Sequence, residues 1–144
     1  NQLQLERDLF ITQTFKADSN LFAAKLIKTY REPLLDGYLT KAQRNVIFQK
    51  EYLNGLDFGN ETLINSQVYT DKIFSYLMSY NQSSLTQQKR EEAYLQTVEN
   101  VFSKTNNNKA VFEFVKEYLE HGFELLQMPK IVEHISKKEY TGTE

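Results

Sequence analysis

Residues 109–127, KAVFEFVKEYLEHGFELLQ, form the stretch that decides the fold. Its apolar side chains recur at three- and four-residue intervals on two sides of a helix. One face consists of Val111, Phe114, Val115, Tyr118 and Leu126, and the other consists of Phe112, Leu119 and Phe123. A helix that is apolar over so much of its circumference is normally surrounded by neighbours. The stretch therefore predicts a central helix, in which Gly122 is expected to allow a close helix crossing.

The same spacing predicts helices on both sides of this stretch. Helical patterns cover residues 3–15, 21–31, 40–53, 66–80, 84–102 and a short run from 129. Only 5 glycines and 2 prolines occur, which favours helices over many short strands. The predicted fold is all-α, with about six or seven helices arranged as an irregular bundle or as stacked helical hairpins.

We expect a single domain over residues 1–144. It would comprise a leading helix at 1–18, a helical core at 19–136 and a polar tail or linker at 137–144. The chain starts at Asn1 rather than at methionine, which indicates a processed or excised piece of a longer protein.

Local signals predict where several helices begin. Thr40 and Ser84 are each followed three residues later by glutamine, which is the spacing of a capping box. Ser66 is expected to open the helix that carries a stripe of tyrosines, Tyr69, Tyr76 and Tyr80. Pro129 suits the first turn of the last helix.

Composition excludes several classes of function. The chain has 17 basic and 19 acidic residues and a formal net charge of −2, and no basic stripe, so we expect no nucleic-acid partner. No apolar run approaches the roughly 20 residues that a transmembrane helix needs. The absence of cysteine rules out dithiol exchange and thiolate zinc sites within this chain.

Individual motifs do not assemble a catalytic centre. The tripeptide Asp57-Phe58-Gly59 matches the magnesium-binding triplet of protein kinases, but the phosphate loop and the catalytic aspartate are missing. His121 shares a predicted helix face with Glu117 and Glu124, yet this group offers one nitrogen ligand, and a solvated charge pair is the favoured interpretation. His134 is interpreted as a packing or boundary residue. We therefore predict no catalytic, cofactor-binding or metal-binding residues, and no cofactor.

The 9 tyrosines and 10 phenylalanines allow two interpretations. Tyr69, Tyr76 and Tyr80 recur at helical spacing and could line a ligand groove. Such stripes more often fill a core while their hydroxyls reach the rim, and we favour the core.

Five blocks of helix-face residues carry a family resemblance that covers roughly four-fifths of the chain. They are FAAKLI at 22–27, YLNGLDF at 52–58, KIFSYL at 72–77, NKAVFEFV at 108–115, and the run from Met128-Pro129 through His134 to Tyr140. In order and spacing these blocks resemble the helical region that precedes the thioredoxin-like domain in TlpA-like thiol-disulfide oxidoreductase family proteins of Bacteroidetes-type bacteria.

The resemblance implies a location in the periplasm or cell envelope. It also implies that thiol-disulfide chemistry belongs to a Cys-x-x-Cys motif in the following domain, so no catalytic residue is carried over to this chain. We expect a non-catalytic accessory domain that packs beside, positions or restricts access to that redox domain. Asp57 and Phe58 match the family's connector and are interpreted as structural.

Two other functions stay open. One is a stand-alone helical module that binds a protein or peptide, which a large exposed apolar patch would favour. The other, less favoured, is a metal-dependent enzyme that uses His121. Neither the oligomeric state nor the identity of a ligand follows from the sequence.

Overall fold

The computed structural model describes residues 2–17 and 19–142, and within them it is all-α, as predicted. This part of the chain contains seven α-helices and two 3₁₀ turns, and no strand. The helices are α1 (Gln2–Ala17), α2 (Phe22–Thr29), α3 (Lys41–Glu51), α4 (Val68–Met78), α5 (Gln87–Thr105), α6 (Lys109–Leu125) and α7 (Pro129–Ser136). The 3₁₀ turns are Tyr52–Gly55 and Glu61–Asn65.

The chain divides into two compact units, Asn1–Asp57 and Phe58–Glu144, called here unit 1 and unit 2. The predicted single domain, with its leading, core and tail segments, stays a prediction. Positions 1 and 18, which bound the predicted leading helix, and positions 143–144 of the predicted tail lie outside the described residues.

Unit 1 is built around the packing of α1 against α2. Ile11 on α1 and Ala24 on α2 are buried. The segment after α2 is tied back to α1, because Arg31 forms an ion pair with Asp8. Thr40 caps α3 through the predicted capping box, in which its hydroxyl accepts from the Gln43 N–H at 3.2 Å. Three buried side chains, Tyr52, Leu53 and Leu56, follow α3.

Unit 2 holds the larger core, and α6 lies at its centre as predicted. This helix packs against α4, α5, α7 and the turn Glu61–Asn65. Its buried side chains are Val111, Phe112, Val115, Leu119 and Phe123, which come from both predicted faces. The core of unit 2 is completed by Val98 and Val101 of α5 and by Ile131 and Ile135 of α7, all with no exposed surface.

Two predictions about α6 are wrong. Leu126 is 58% exposed, because the helix ends at Leu125 and the chain leaves the buried face. The ending is a Schellman motif: Met128 N–H donates to the Phe123 carbonyl at 3.0 Å, and Gln127 adopts a positive φ of 55°. Gly122 supports no close crossing, since a Cβ at that position would meet nothing within 4 Å.

The starts of α4 and α5 differ from the sequence prediction by two residues. Ser84 lies in a turn that the Leu85 N–H closes on the Gln82 carbonyl, so it cannot cap a helix. Thr86 is the N-cap of α5 instead, with extended backbone and a hydroxyl that accepts from the Lys89 N–H. The helix predicted from Ser66 begins at Val68.

Candidate interaction surface

The structure does not assemble the histidine site weighed from the sequence. The His121 side chain is 72% exposed, and its Nδ1 lies 4.0 Å from Glu124 Oε2, which is a solvated pair at the limit of an ion pair. Glu117 is also exposed. Across residues 2–17 and 19–142, no group of three His, Cys, Asp or Glu side chains could hold a metal ion.

His134 has a partner that the sequence did not reveal. Its Nε2 lies 2.5 Å from Oε1 of Glu99, which is 35 positions away on α5. Lys138 Nζ reaches the same oxygen at 2.5 Å. The hydrogen bond from Lys138, and then that from His134, lower the pKa of Glu99 against an opposing effect of burial. His134 therefore links α7 to α5 and does more than fill space.

Phe58, the central residue of the tripeptide Asp57-Phe58-Gly59, has a structural role in the core. Phe58 is 4% exposed, and its ring stacks on Tyr69 with centroids 5.7 Å apart. The Gly59 carbonyl accepts from Asn108 Nδ2 at 3.5 Å. Phe58 is thus a buried core residue, which agrees with its structural interpretation.

The tyrosine stripe of α4 lies largely in the core, as favoured above. Tyr69 has no exposed surface and Tyr76 is 3% exposed. The Tyr69 hydroxyl donates to the Asn60 carbonyl at 2.8 Å, and Asn100 Nδ2 donates to the Tyr76 hydroxyl at 3.1 Å. Burial, with the neighbouring Tyr76 hydroxyl, raises the pKa of Tyr80. The hydroxyls of Tyr69 and Tyr76 are hydrogen-bonded, which suits a core and not an open groove.

The exposed apolar side chains are concentrated in unit 1. Among the described residues, ten of the fourteen large apolar side chains that are exposed belong to unit 1. Only five apolar side chains of unit 1 are buried, against seventeen in unit 2. Unit 1 thus displays apolar surface that its own core does not use, and such surface marks an interaction site where it is contiguous.

Four of these side chains lie on α1. Leu3 is 81% exposed, Leu5 is 58% exposed, and Leu9 and Phe10 are each 61% exposed. Leu5 and Leu9 are one turn apart and share one side of the helix, whereas Leu3 and Phe10 are two turns apart and share another side. We call these four exposed residues, taken together, the α1 face. Ile11 is the one buried residue of the helix.

Further exposed apolar side chains follow along unit 1. They are Leu21, Phe22, Tyr30, Leu34, Tyr38 and Val46. Tyr38 is 98% exposed in a turn where its N–H donates to Asp36 Oδ1 at 3.0 Å. Tyrosine in such a position is a common anchor in protein interfaces.

The charges of α1 are mostly engaged elsewhere. Arg7 Nη2 donates to the Tyr30 carbonyl at 2.7 Å, and Asp8 pairs with Arg31. Glu6 accepts from the Gln2 side-chain amide at 3.1 Å. Arg7 and Asp8 are thus engaged within unit 1, whereas Glu6 is exposed and charged between the two apolar pairs of the α1 face.

Comparisons with protein-family models, with curated proteins and with solved structures find no match. The resemblance to the TlpA-like family therefore stays a prediction. Over residues 2–17 and 19–142, no helix is both long enough and apolar enough to cross a membrane.

Proposed function

We propose that this chain is a non-catalytic accessory domain of a thioredoxin-like protein of the bacterial periplasm or cell envelope. In this role it packs against a redox domain that is not part of the chain, and the α1 face is the docking surface. The observation that carries the proposal is the exposure of all four α1-face side chains on a helix with a single buried residue. The identity of the partner comes from the family resemblance.

The energetics of the α1 face favour a tethered partner. Its four side chains expose the equivalent of about two and a half complete side chains, each worth about 1.5–3 kcal/mol on burial. The gain on docking is therefore about 4–8 kcal/mol, of the same order as the 4–15 kcal/mol cost of association. A neighbour joined by a linker has an effective concentration of about millimolar, which makes such a contact sufficient.

The absence of cysteine fits a supporting role in thiol chemistry. A domain without thiols cannot exchange disulfides with the redox centre that it covers or orients. Placement over a Cys-x-x-Cys site would restrict which substrates reach it. Positioning and access control are thus the contributions we propose for this chain.

A second candidate is a stand-alone helical module that binds a protein or peptide in trans. The same exposed α1 face favours it, because a helix with apolar positions one and two turns apart can occupy a groove of another protein. The two proposals differ in the partner: a Cys-x-x-Cys domain in the first, and an unrelated groove in the second.

Photo-cross-linking in the source bacterium separates the candidates. A benzophenone amino acid replaces Leu5 on the α1 face, and the same amino acid at the exposed Glu117 of α6 serves as the matched control. We expect a cross-link from position 5 to a thioredoxin-like segment, identified by its peptides, and none from position 117. Cross-linking of position 5 to a different, identified protein supports the stand-alone module. Equal cross-linking from both positions contradicts docking through the α1 face.

A further inference from the structure

Residues 137–142, which follow α7, lie against α5 and α6 as an ordered strap. The strap starts where Lys116 of α6 closes the end of α7: Lys116 Nζ donates to the Ser136 carbonyl at 3.0 Å and to the Lys138 carbonyl at 2.8 Å. The Lys138 N–H also donates to the Ile135 carbonyl at 2.9 Å. The backbone is thereby directed across the other helices.

Two side chains of the strap are anchored two residues apart. Lys138 Nζ lies 2.5 Å from Glu99 Oε1. The Tyr140 ring meets the Phe112 ring edge to face, with centroids 5.7 Å apart. One short segment therefore contacts α5 through Lys138 and α6 through Tyr140.

The strap passes so close to α5 that glycine is required at its far end. A Cβ on Gly142 would lie 2.2 Å from the Asn106 carbonyl oxygen. The atom that such a Cβ would meet belongs to the backbone of Asn106, so a change of side-chain rotamer could not relieve the clash. The backbone of the strap therefore packs closely against the residue that follows α5.

An open cavity of about 480 Å³ lies beside the strap, which forms one of its walls through Lys137, Lys138, Glu139 and Thr141. Its walls from α5 and α6 include Glu99, Phe102, Ser103, Asn106 and Phe112. Cavities of this size suit a ligand of several hundred cubic ångströms. We call this surface the α5–α6 groove: it has aromatic side chains, a carboxylate at one end and hydroxyl and amide groups along its edge.

We propose that the α5–α6 groove is a peptide-binding site that the strap occupies in cis, and that it takes in trans an extended peptide with lysine or arginine two residues before an aromatic residue. The seated strap shows the chemistry of the occupant: a cation at Glu99 and a ring at Phe112. The hydrogen bonds from Lys138 and His134 lower the pKa of Glu99, which favours the ionised carboxylate that pairs with a cation. This site belongs to unit 2 and does not depend on the function proposed for the α1 face.

The strap and an incoming peptide compete for the same groove. A segment attached by a short linker has an effective concentration of about millimolar, so the native chain binds such a peptide weakly. In this proposal the strap detaches while the core stays folded, because residues 137–142 contribute no buried side chain to the core of unit 2. A strap that lacks the side chains of Lys138 and Tyr140 should leave the α5–α6 groove accessible to an added peptide.

Peptide binding to full-length variants tests the proposal. The probe is fluorescently labelled SKKEYTGTE, which is the sequence of residues 136–144. In the double variant Lys138→Ala, Tyr140→Ala, we expect the amides of residues 138–142 to lose hydrogen-exchange protection. We also expect this variant to bind the probe about tenfold more tightly than the native chain. A probe with alanine in place of its tyrosine should bind neither protein.

Two further substitutions in the double variant locate the site. Glu99→Gln should abolish binding, because it removes the charge that faces the probe's lysine. Glu91→Gln is the matched control: Glu91 also joins α5 to α7, through Lys130 at 3.3 Å, and does not face the strap. The proposal is overturned if the double variant binds no probe, if its strap stays as protected as in the native chain, or if Glu99→Gln leaves binding unchanged.

Discussion

Leu9 and Ile11 lie two residues apart on α1 and face different environments. Ile11 is 5% exposed, whereas Leu9 is 61% exposed. Alanine at each position therefore compares the buried side of the helix with the α1 face, within one element and with one replacement residue. The difference between the two losses of stability measures how much of the α1 face is free.

The expected magnitudes follow from burial. About two-fifths of Leu9 is covered, and full burial is worth about 1.5–3 kcal/mol, so Leu9→Ala should lower the free energy of unfolding by about 0.5–1 kcal/mol. Ile11→Ala removes a covered side chain and leaves a cavity, which should lower it by about 2–4 kcal/mol. The slightly higher helix propensity of alanine reduces the loss at Leu9 further.

Urea unfolding of the full chain, followed by far-UV circular dichroism, provides the two free energies. Hydrogen exchange of the α1 amides then shows whether the loss is local to unit 1. A loss for Leu9→Ala as large as that for Ile11→Ala would refute the reasoning. It would mean that Leu9 is covered within the isolated chain, and the α1 face would no longer be available for a partner.

Three further outcomes are expected. Gln127→Gly should raise the free energy of unfolding by about 1 kcal/mol, because glycine adopts the positive φ of 55° without strain; a lower thermal midpoint would contradict this. Thr86→Ala should cost about 1 kcal/mol in urea unfolding and Ser84→Ala close to nothing, since only Thr86 caps α5; equal losses would restore the original capping assignment. Glu99 has a lowered pKa when folded, so its contribution is complete above its ordinary pKa and is lost as the pH falls through the lowered value. The stability difference between the native chain and Glu99→Gln should therefore be present at neutral pH and vanish in acid, and a difference that persists in acid would contradict the assignment.

The helices were predictable because their signals are local. The stretch that forms α6 has apolar side chains on both faces, and a helix of that kind is normally buried at the centre of a core. The Thr40 capping box and the proline at the start of α7 depend on backbone groups within a few residues of the signal. Both features can therefore be predicted from the neighbouring residues alone.

The α1 face was not predictable from spacing. Leu5 and Leu9 recur at the interval typical of a core face, but Ile11 and Phe15 define another side of the same helix. Periodicity shows that apolar side chains share a side and does not show which side is covered. In unit 1 the packing of α2 covers the side of Ile11 and leaves Leu5 and Leu9 exposed.

The strap was also beyond the sequence argument. Residues 137–144 are mostly polar, which is typical of a tail, but the placement of residues 137–142 depends on contacts with Glu99, Phe112 and Lys116. The spacing of His134 and Lys138 by one helical turn is visible in the sequence. Their shared partner is on another helix, and nothing local identifies it.

The lack of native cysteine allows the central claim to be tested with a single introduced thiol. Leu9→Cys places that thiol on the α1 face, and its rate of maleimide modification is measured in the isolated chain and in the protein as its source organism makes it, with the modified site identified by mass spectrometry. The proposed accessory role predicts rapid modification in the isolated chain and a rate about tenfold lower in the protein from its source, because a docked redox domain would cover the thiol. Equal rates in both samples would contradict it.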